Sequence, residues 1–144
     1  MIRVIPISLL TISIIFTYIF KNFLTLKIPK FFGLLIIFPS LLLIFLGLFT
    51  LLLNKTTIIP GEKPKRLVNF GVFGICRNPI YLGDLLLIVG FSIYFQTLIG
   101  IIFAILFFLV MDKFVIPKEE EILEKTFGES YVEYKKCVKR WGIF

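Results

Sequence analysis

PIYLGDLLLIVGFSIYFQTLIGIIFAILFFLVM, residues Pro79–Met111, contains a single charged side chain, Asp84. The stretch reads either as one very long helix or as two short ones turning near Gln96-Thr97. The distribution of basic residues decides between them. In a hairpin, Arg3, five residues of the 54–78 loop (Lys55, Lys63, Lys65, Arg66 and Arg77) and the seven beyond Met111 share one side. That is thirteen of the 16 basic residues, against Lys21, Lys27 and Lys30 on the other. A single helix would split the same residues six to ten. Cytoplasmic loops carry the excess of Lys and Arg, so a helical hairpin is expected, with the N- and C-termini cytoplasmic.

Outward from the hairpin, Val4 to Phe20 and Phe31 to Leu53 are also uncharged, and Pro39 should kink the second run. Hydrophobic residues make up 58% of the 144, far above the share in soluble domains. The expected fold is one all-α integral membrane domain over 1–144, with about four transmembrane helices (4–20, 31–53, 79–95 and 97–116). Amphipathic cytoplasmic helices should follow over 118–141, where Leu123, Phe127, Tyr131, Tyr134, Val138 and Trp141 recur every three or four residues on one face. Gly128 should break this segment, and Ser130-x-x-Glu133 has the pattern of a capping box that restarts it. Val4–Phe20 lacks a small-residue cleavage site and reads as a retained anchor rather than a signal peptide.

A net charge of +7 could suggest nucleic acid, but the basic residues flank apolar runs, so membrane lipids are the expected partner and nucleic acid is not. Histidine is absent, which removes the commonest metal ligand and the commonest general base, and no metal is expected. Cys76 and Cys137 are expected to stay free thiols.

The segment GVFGICRNPIYLG, Gly71–Gly83, is the most distinctive in the chain. Pro79 lacks an N–H and biases Asn78 away from helical geometry, so a helix should begin here at the membrane surface. Arg77, Asn78 and Tyr81 then crowd one helix mouth, a place suited to an anion. The cluster Glu119, Glu120 and Glu121 follows the last apolar run and should start a helix. Folding the hairpin back brings that cluster toward Arg77, so that arginine, amide, tyrosine and carboxylates could ring one pocket.

The run Arg77-Asn-Pro-Ile-Tyr-Leu-Gly83 resembles the Arg-His/Asn-Pro-x-Tyr-x-Gly signature of the isoprenylcysteine carboxyl methyltransferase and phospholipid methyltransferase superfamily. Pro117-Lys-Glu-Glu-Glu-Ile-Leu123 is similar to its Glu-Glu-x-x-Leu segment. Phe127-Gly-Glu-Ser-Tyr131-Val-Glu-Tyr134 with Val138-Lys-Arg-Trp141 is similar to its C-terminal ending. The resemblance implies a methyltransferase using S-adenosylmethionine, held near the cytoplasmic face, and acting on a lipophilic or lipid-modified substrate that arrives from the bilayer. It implies that Arg77 and Glu120 are catalytic, and that Arg77, Asn78, Pro79, Tyr81, Leu82, Gly83, Glu119, Glu120, Tyr131 and Tyr134 hold the cofactor. Arg140 and Trp141 fall on the C-terminal motif. Asn78 stands where histidine is the commoner choice, and an amide cannot act as a base.

Transfer to a carboxylate needs alignment and exclusion of water but no proton removal, so a carboxyl or thiol-type acceptor is expected. Amine methylation would need a deprotonated nucleophile, and with no histidine only Glu or Tyr could help. Two alternatives stand beside this reading. One is a nicotinamide-dependent reductase of lipid double bonds, whose members carry a similar Arg-x-Pro-x-Tyr-x-Gly run followed by an acid. The other is a non-enzymatic membrane component.

Overall fold

The computed structural model describes residues 4–57 and 59–142, and Arg3, counted above among the basic residues, lies outside them. The described residues form six α-helices: α1 (Ile5–Ile19), α2 (Lys30–Leu53), α3 (Pro79–Tyr94), α4 (Ile99–Val110), α5 (Ile116–Phe127) and α6 (Glu129–Cys137). No β-strand occurs among the described residues, where Thr25 and Thr97 form an isolated bridge. Lys30–Leu53 and the continuous helix Ile99–Phe127 are long and apolar enough to cross a membrane, whereas Ile5–Ile19 and Pro79–Tyr94 are apolar but shorter.

Small residues let α2 and α3 approach closely. A Cβ on Gly33 would sit 2.6 Å from the Tyr94 nitrogen and 2.8 Å from the Gly90 oxygen, and one on Gly83 would sit 2.5 Å from Ile44 Cγ1 and 3.0 Å from the Ser40 oxygen. Such small-residue seams suit helices in lipid, where packing replaces the hydrophobic drive. Buried hydroxyls turn back onto their own helices: Thr17 Oγ1 donates to the Ser13 oxygen at 2.7 Å and Ser40 Oγ to the Ile36 oxygen at 2.6 Å. No polar hydrogen is left to lipid at these positions.

Between α3 and α4 the chain turns at Gln96, whose φ is 57°. Backbone bonds tie this turn to the 20–28 segment: Leu26 donates to the Gln96 oxygen at 2.7 Å and Leu98 to the Leu24 oxygen at 2.9 Å. Thr97 Oγ1 donates to the Phe23 oxygen at 2.9 Å, and Ser92 Oγ donates to the Thr97 oxygen.

At the other end the structure corrects three expectations. The glutamate cluster does not start a helix. Met111–Val115 forms a π-turn that joins α4 to α5 without a break, so Glu119–Glu121 lie within a continuous helix. No capping box starts α6, because its N-cap is Gly128, at φ 55°, and no side chain caps it. Trp141 leaves the shared face, since the helix ends at Cys137 and Val138 is extended. Tyr131, Tyr134 and Val138 pack with Leu123 and Phe127, while Trp141 joins the main core with Phe107, Met111 and Ile116.

Candidate functional site

Arg77 sits in the short segment between a 3₁₀ turn (Gly71–Gly74) and α3. Its backbone N–H donates to the Lys139 oxygen at 3.0 Å, and Asn78 Nδ2 donates to the Arg140 oxygen at 3.1 Å. The mouth of α3 is thus strapped to the C-terminal segment, with one N–H of the Asn78 amide used in the strap. Cys76 packs into the same junction, and burial pushes its thiol above the usual range.

Glu120 stands between two guanidinium groups. Arg140 bonds it in bidentate fashion, Nε to Oε1 at 3.1 Å and Nη2 to Oε2 at 2.7 Å, and Arg77 Nη2 reaches Oε1 at 3.1 Å. Arg140 also donates from Nη1 to Asp112 Oδ1 at 2.9 Å, and that oxygen accepts Trp141 Nε1–H at 3.1 Å. The Glu120 hydrogen bonds hold Arg140 firmly in its charged form. The result is a chain of alternating charge, Arg77–Glu120–Arg140–Asp112, in which both oxygens of Glu120 are occupied.

Arg77 is less complete. Its side chain is 10% exposed, and its Nε and Nη1 are buried without a hydrogen-bond partner among the described residues. Buried unpaired donors on a charged group are costly, so they mark a place where a ligand's acceptor atoms are expected. The Tyr131 hydroxyl lies beside this guanidinium and Glu120, and Tyr134 Oη donates to the Phe73 oxygen at 2.6 Å. Burial raises both phenols above their usual range, so at neutral pH both remain protonated donors.

These groups line a cavity of about 370 Å³. Its polar end is formed by Arg77, Asn78, Glu119, Glu120, Tyr131 and Tyr134, and loop residues Thr56, Thr57, Pro60, Gly61 and Glu62 also line it. Glu119 accepts the Tyr81 hydroxyl at 2.8 Å and a backbone bond from Gly61 in that loop. The apolar end runs between α1 and α2 past Pro6, Ile7, Leu10, Ile44 and Leu48.

Of the ten residues expected to hold a cofactor, Arg77, Asn78, Pro79, Tyr81, Glu119, Glu120, Tyr131 and Tyr134 line this cavity. Leu82 and Gly83 do not. Leu82 packs against the main core, and Gly83 faces α2, because successive helical residues turn by about 100° away from the Tyr81 side. Asp112 had no place in the sequence reading, although it is the first charge after the long apolar run. Gly61 gave no signal, since its contact with Glu119 bridges distant parts of the chain.

The fold and site together describe an all-helical membrane protein with a half-polar, half-apolar cavity at one end of its helices. The profile of the phospholipid methyltransferase family matches residues 30–130, and the chain belongs to that family. It is 36% identical over 62 residues to an uncharacterized protein of Haemophilus influenzae, covering 43% of this chain and 98% of that one. It is also 36% identical over 102 residues to protein-S-isoprenylcysteine O-methyltransferase B of Arabidopsis thaliana, covering 60% of this chain and 50% of the plant enzyme. The match therefore spans half the length of that relative.

Proposed function

We propose that the protein is an S-adenosylmethionine-dependent methyltransferase that acts on a lipophilic acceptor at the cytoplasmic face of the cell membrane. In this reading α1–α4 form four spans, with both termini cytoplasmic. The two shorter helices, Ile5–Ile19 and Pro79–Tyr94, span by continuing into interfacial residues at their ends.

The observation that carries the proposal is the pair of buried, unpartnered donors on Arg77, beside two protonated tyrosines in a cavity of about 370 Å³. A guanidinium whose Nε and Nη1 are without partners suits the carboxylate of an amino-acid moiety. The cavity falls within the range of roughly 300–1,000 Å³ usual for small-molecule sites. Bound there, S-adenosylmethionine would supply a methyl group on a positively charged sulfur. The chain's own residues would do the rest. Arg77 binds the carboxylate, and Glu120 and Arg140 hold Arg77 in place. Glu119 offers an acceptor for hydroxyl or ammonium hydrogens, and the apolar end lets an alkyl chain enter between α1 and α2. Glu120, expected from the family motif to be catalytic, is on this geometry a positioning residue.

Calorimetric titration of the detergent-purified protein with S-adenosylhomocysteine, with NADPH as comparison, tests the reading. Saturable binding of the first alone is expected. Arg77→Ala should weaken it by about 100-fold, in line with roughly 2–3 kcal/mol for a lost charged hydrogen-bonding partner. Binding of NADPH instead would transfer the site to nicotinamide chemistry.

A further inference from the structure

A second cavity, of about 420 Å³, is lined by the far end of the charge chain, Arg140 and Asp112, together with Lys135, Lys139, Phe108 and Trp141. Arg77 borders both cavities. The charge around the second one is not balanced. Arg77 and Arg140 share Glu120, Arg140 and Lys113 share Asp112, and Lys135 takes Glu124. With Lys139, five cations therefore meet three carboxylates. Lys139 is exposed and makes no ion pair with any described residue. Its carbonyl accepts the Arg77 N–H at 3.0 Å, so the backbone that carries this free charge is fixed to the mouth of α3.

The rest of the lining is aromatic. Phe108 and Trp141 pack with ring centroids 5.1 Å apart, and Asp112 accepts the Trp141 indole N–H at 3.1 Å. Phe108 lies in the last turn of α4, and Ile105, one turn earlier on the same face, is exposed. The apolar shaft of a spanning helix thus runs directly into a basic cleft. A tryptophan where an apolar span meets charged residues is a usual mark of the membrane–water boundary.

We propose that this cleft binds one anionic phospholipid, with its phosphate held by Lys135 and Lys139 and an acyl chain laid along Phe108 and Ile105. Phosphate is chemistry that a lipid headgroup shares with soluble phosphate esters, and the aromatic floor continuing into α4 favours the lipid. A zwitterionic headgroup would bring its own ammonium against the excess of cations, so the cleft selects lipids of net negative charge. Such a site differs from the diffuse attraction of a basic surface for an anionic leaflet, which is spread over many lipids and screened by salt. Lys139 and Arg140 also supply the carbonyls of the strap on Arg77 and Asn78, so a lipid bound here clamps the C-terminal segment to the α3 mouth. The inference is independent of the methyl-transfer reading, since it uses neither the first cavity nor its ligand.

Trp141 is the only tryptophan in the chain and lines the cleft, so its fluorescence reports on what fills it. The full chain is placed in nanodiscs of mixed phosphatidylcholine and phosphatidylglycerol, with bromine on the acyl chains of one lipid or the other. Quenching of Trp141 then gives the ratio of the two association constants. Phosphatidylglycerol is expected to bind at least about five-fold more tightly, the contribution of one lysine at the surface. That preference should persist in about 1 M NaCl, where the screening length falls to about 3 Å. Lys139→Gln should remove most of it. Lys136→Gln, the same charge change at an exposed lysine outside the cleft, should not. Equal quenching by the two brominated lipids overturns the site on the wild-type protein alone. A preference abolished by salt, or lowered equally by both substitutions, overturns it as well and leaves only diffuse surface attraction. Relief of the quenching by soluble glycerol phosphate keeps the phosphate chemistry but overturns the lipid as its source.

Discussion

Glu120 shows how one side chain can be indispensable without touching a substrate. Its burial is tolerated because Arg77 and Arg140 occupy both of its oxygens, and removing it would leave the buried Arg77 guanidinium without its ion pair beside the half-buried Arg140. Glu120→Ala is expected to destabilise the folded protein by about 3–5 kcal/mol, the range for breaking a buried pair, as read by thermal unfolding in detergent. Glu121, one residue on, is exposed and paired with Lys125, and its alanine variant should unfold close to the parent temperature. Equal destabilisation by both changes would contradict the network described. At this scale the sequence was informative where side chains belong to a motif: Arg77, Tyr81, Glu119 and Glu120 do meet around one cavity. It was silent on how each carboxylate is compensated. Which acid keeps a partner and which does not depends on contacts such as Gly61 with Glu119 and Arg140 with Asp112, and no local pattern encodes them.

At the level of helices, the seam between α2 and α3 is the most demanding. A methyl group at Gly33 would press on backbone atoms of Gly90 and Tyr94, which cannot rotate out of the way. Gly33→Ala should therefore part the two helices and destabilise the protein by about 1–3 kcal/mol, the usual cost of overpacking. At Gly71 nothing lies within 4 Å of a built Cβ. Alanine there should instead cost only the strain of its φ of 61°, about 1 kcal/mol. Thermal unfolding of both variants checks the order. Helix starts and stops were legible where Pro and Gly act alone, as at Pro79 and Gly128. Continuity across Pro117 was not, since proline within a helix removes a bond and clashes with the preceding turn. The π-turn at Met111–Val115 lies immediately before it and changes the bonding of that preceding turn, so the helix continues.

For the whole molecule, the proposed topology sets the C-terminal segment and the 21–29 loop on opposite faces of the membrane. Cys137 is exposed and Cys76 is buried, with its thiol raised above the usual range, so the native chain offers one reactive thiol. A membrane-impermeant maleimide should label Cys137 only in inverted vesicles. In a Cys137→Ser, Lys27→Cys double variant it should label only right-side-out vesicles. Labelling of both positions from one face would rule out the four-span arrangement. The charge asymmetry and uncharged runs made an all-helical membrane fold legible at once, because lipid imposes them on any chain that crosses it. The cavity between α1 and α2 could not be read, as its walls are the same Leu and Ile residues that elsewhere face lipid.

The five-residue turn at Met111–Val115 has a consequence for how this chain can change over time. One residue more than a regular turn rotates everything downstream by about 100° about the helix axis. It therefore acts as a phase setting between an apolar shaft and the carboxylates it carries. Excising a single residue there would alter neither composition nor hydrophobicity appreciably, yet it would swing Glu119 and Glu120 away from Tyr81 and Arg77. Side chains along the shaft can be exchanged one at a time, while the number of residues between Val110 and Ile116 is a discrete quantity that admits no gradual substitute.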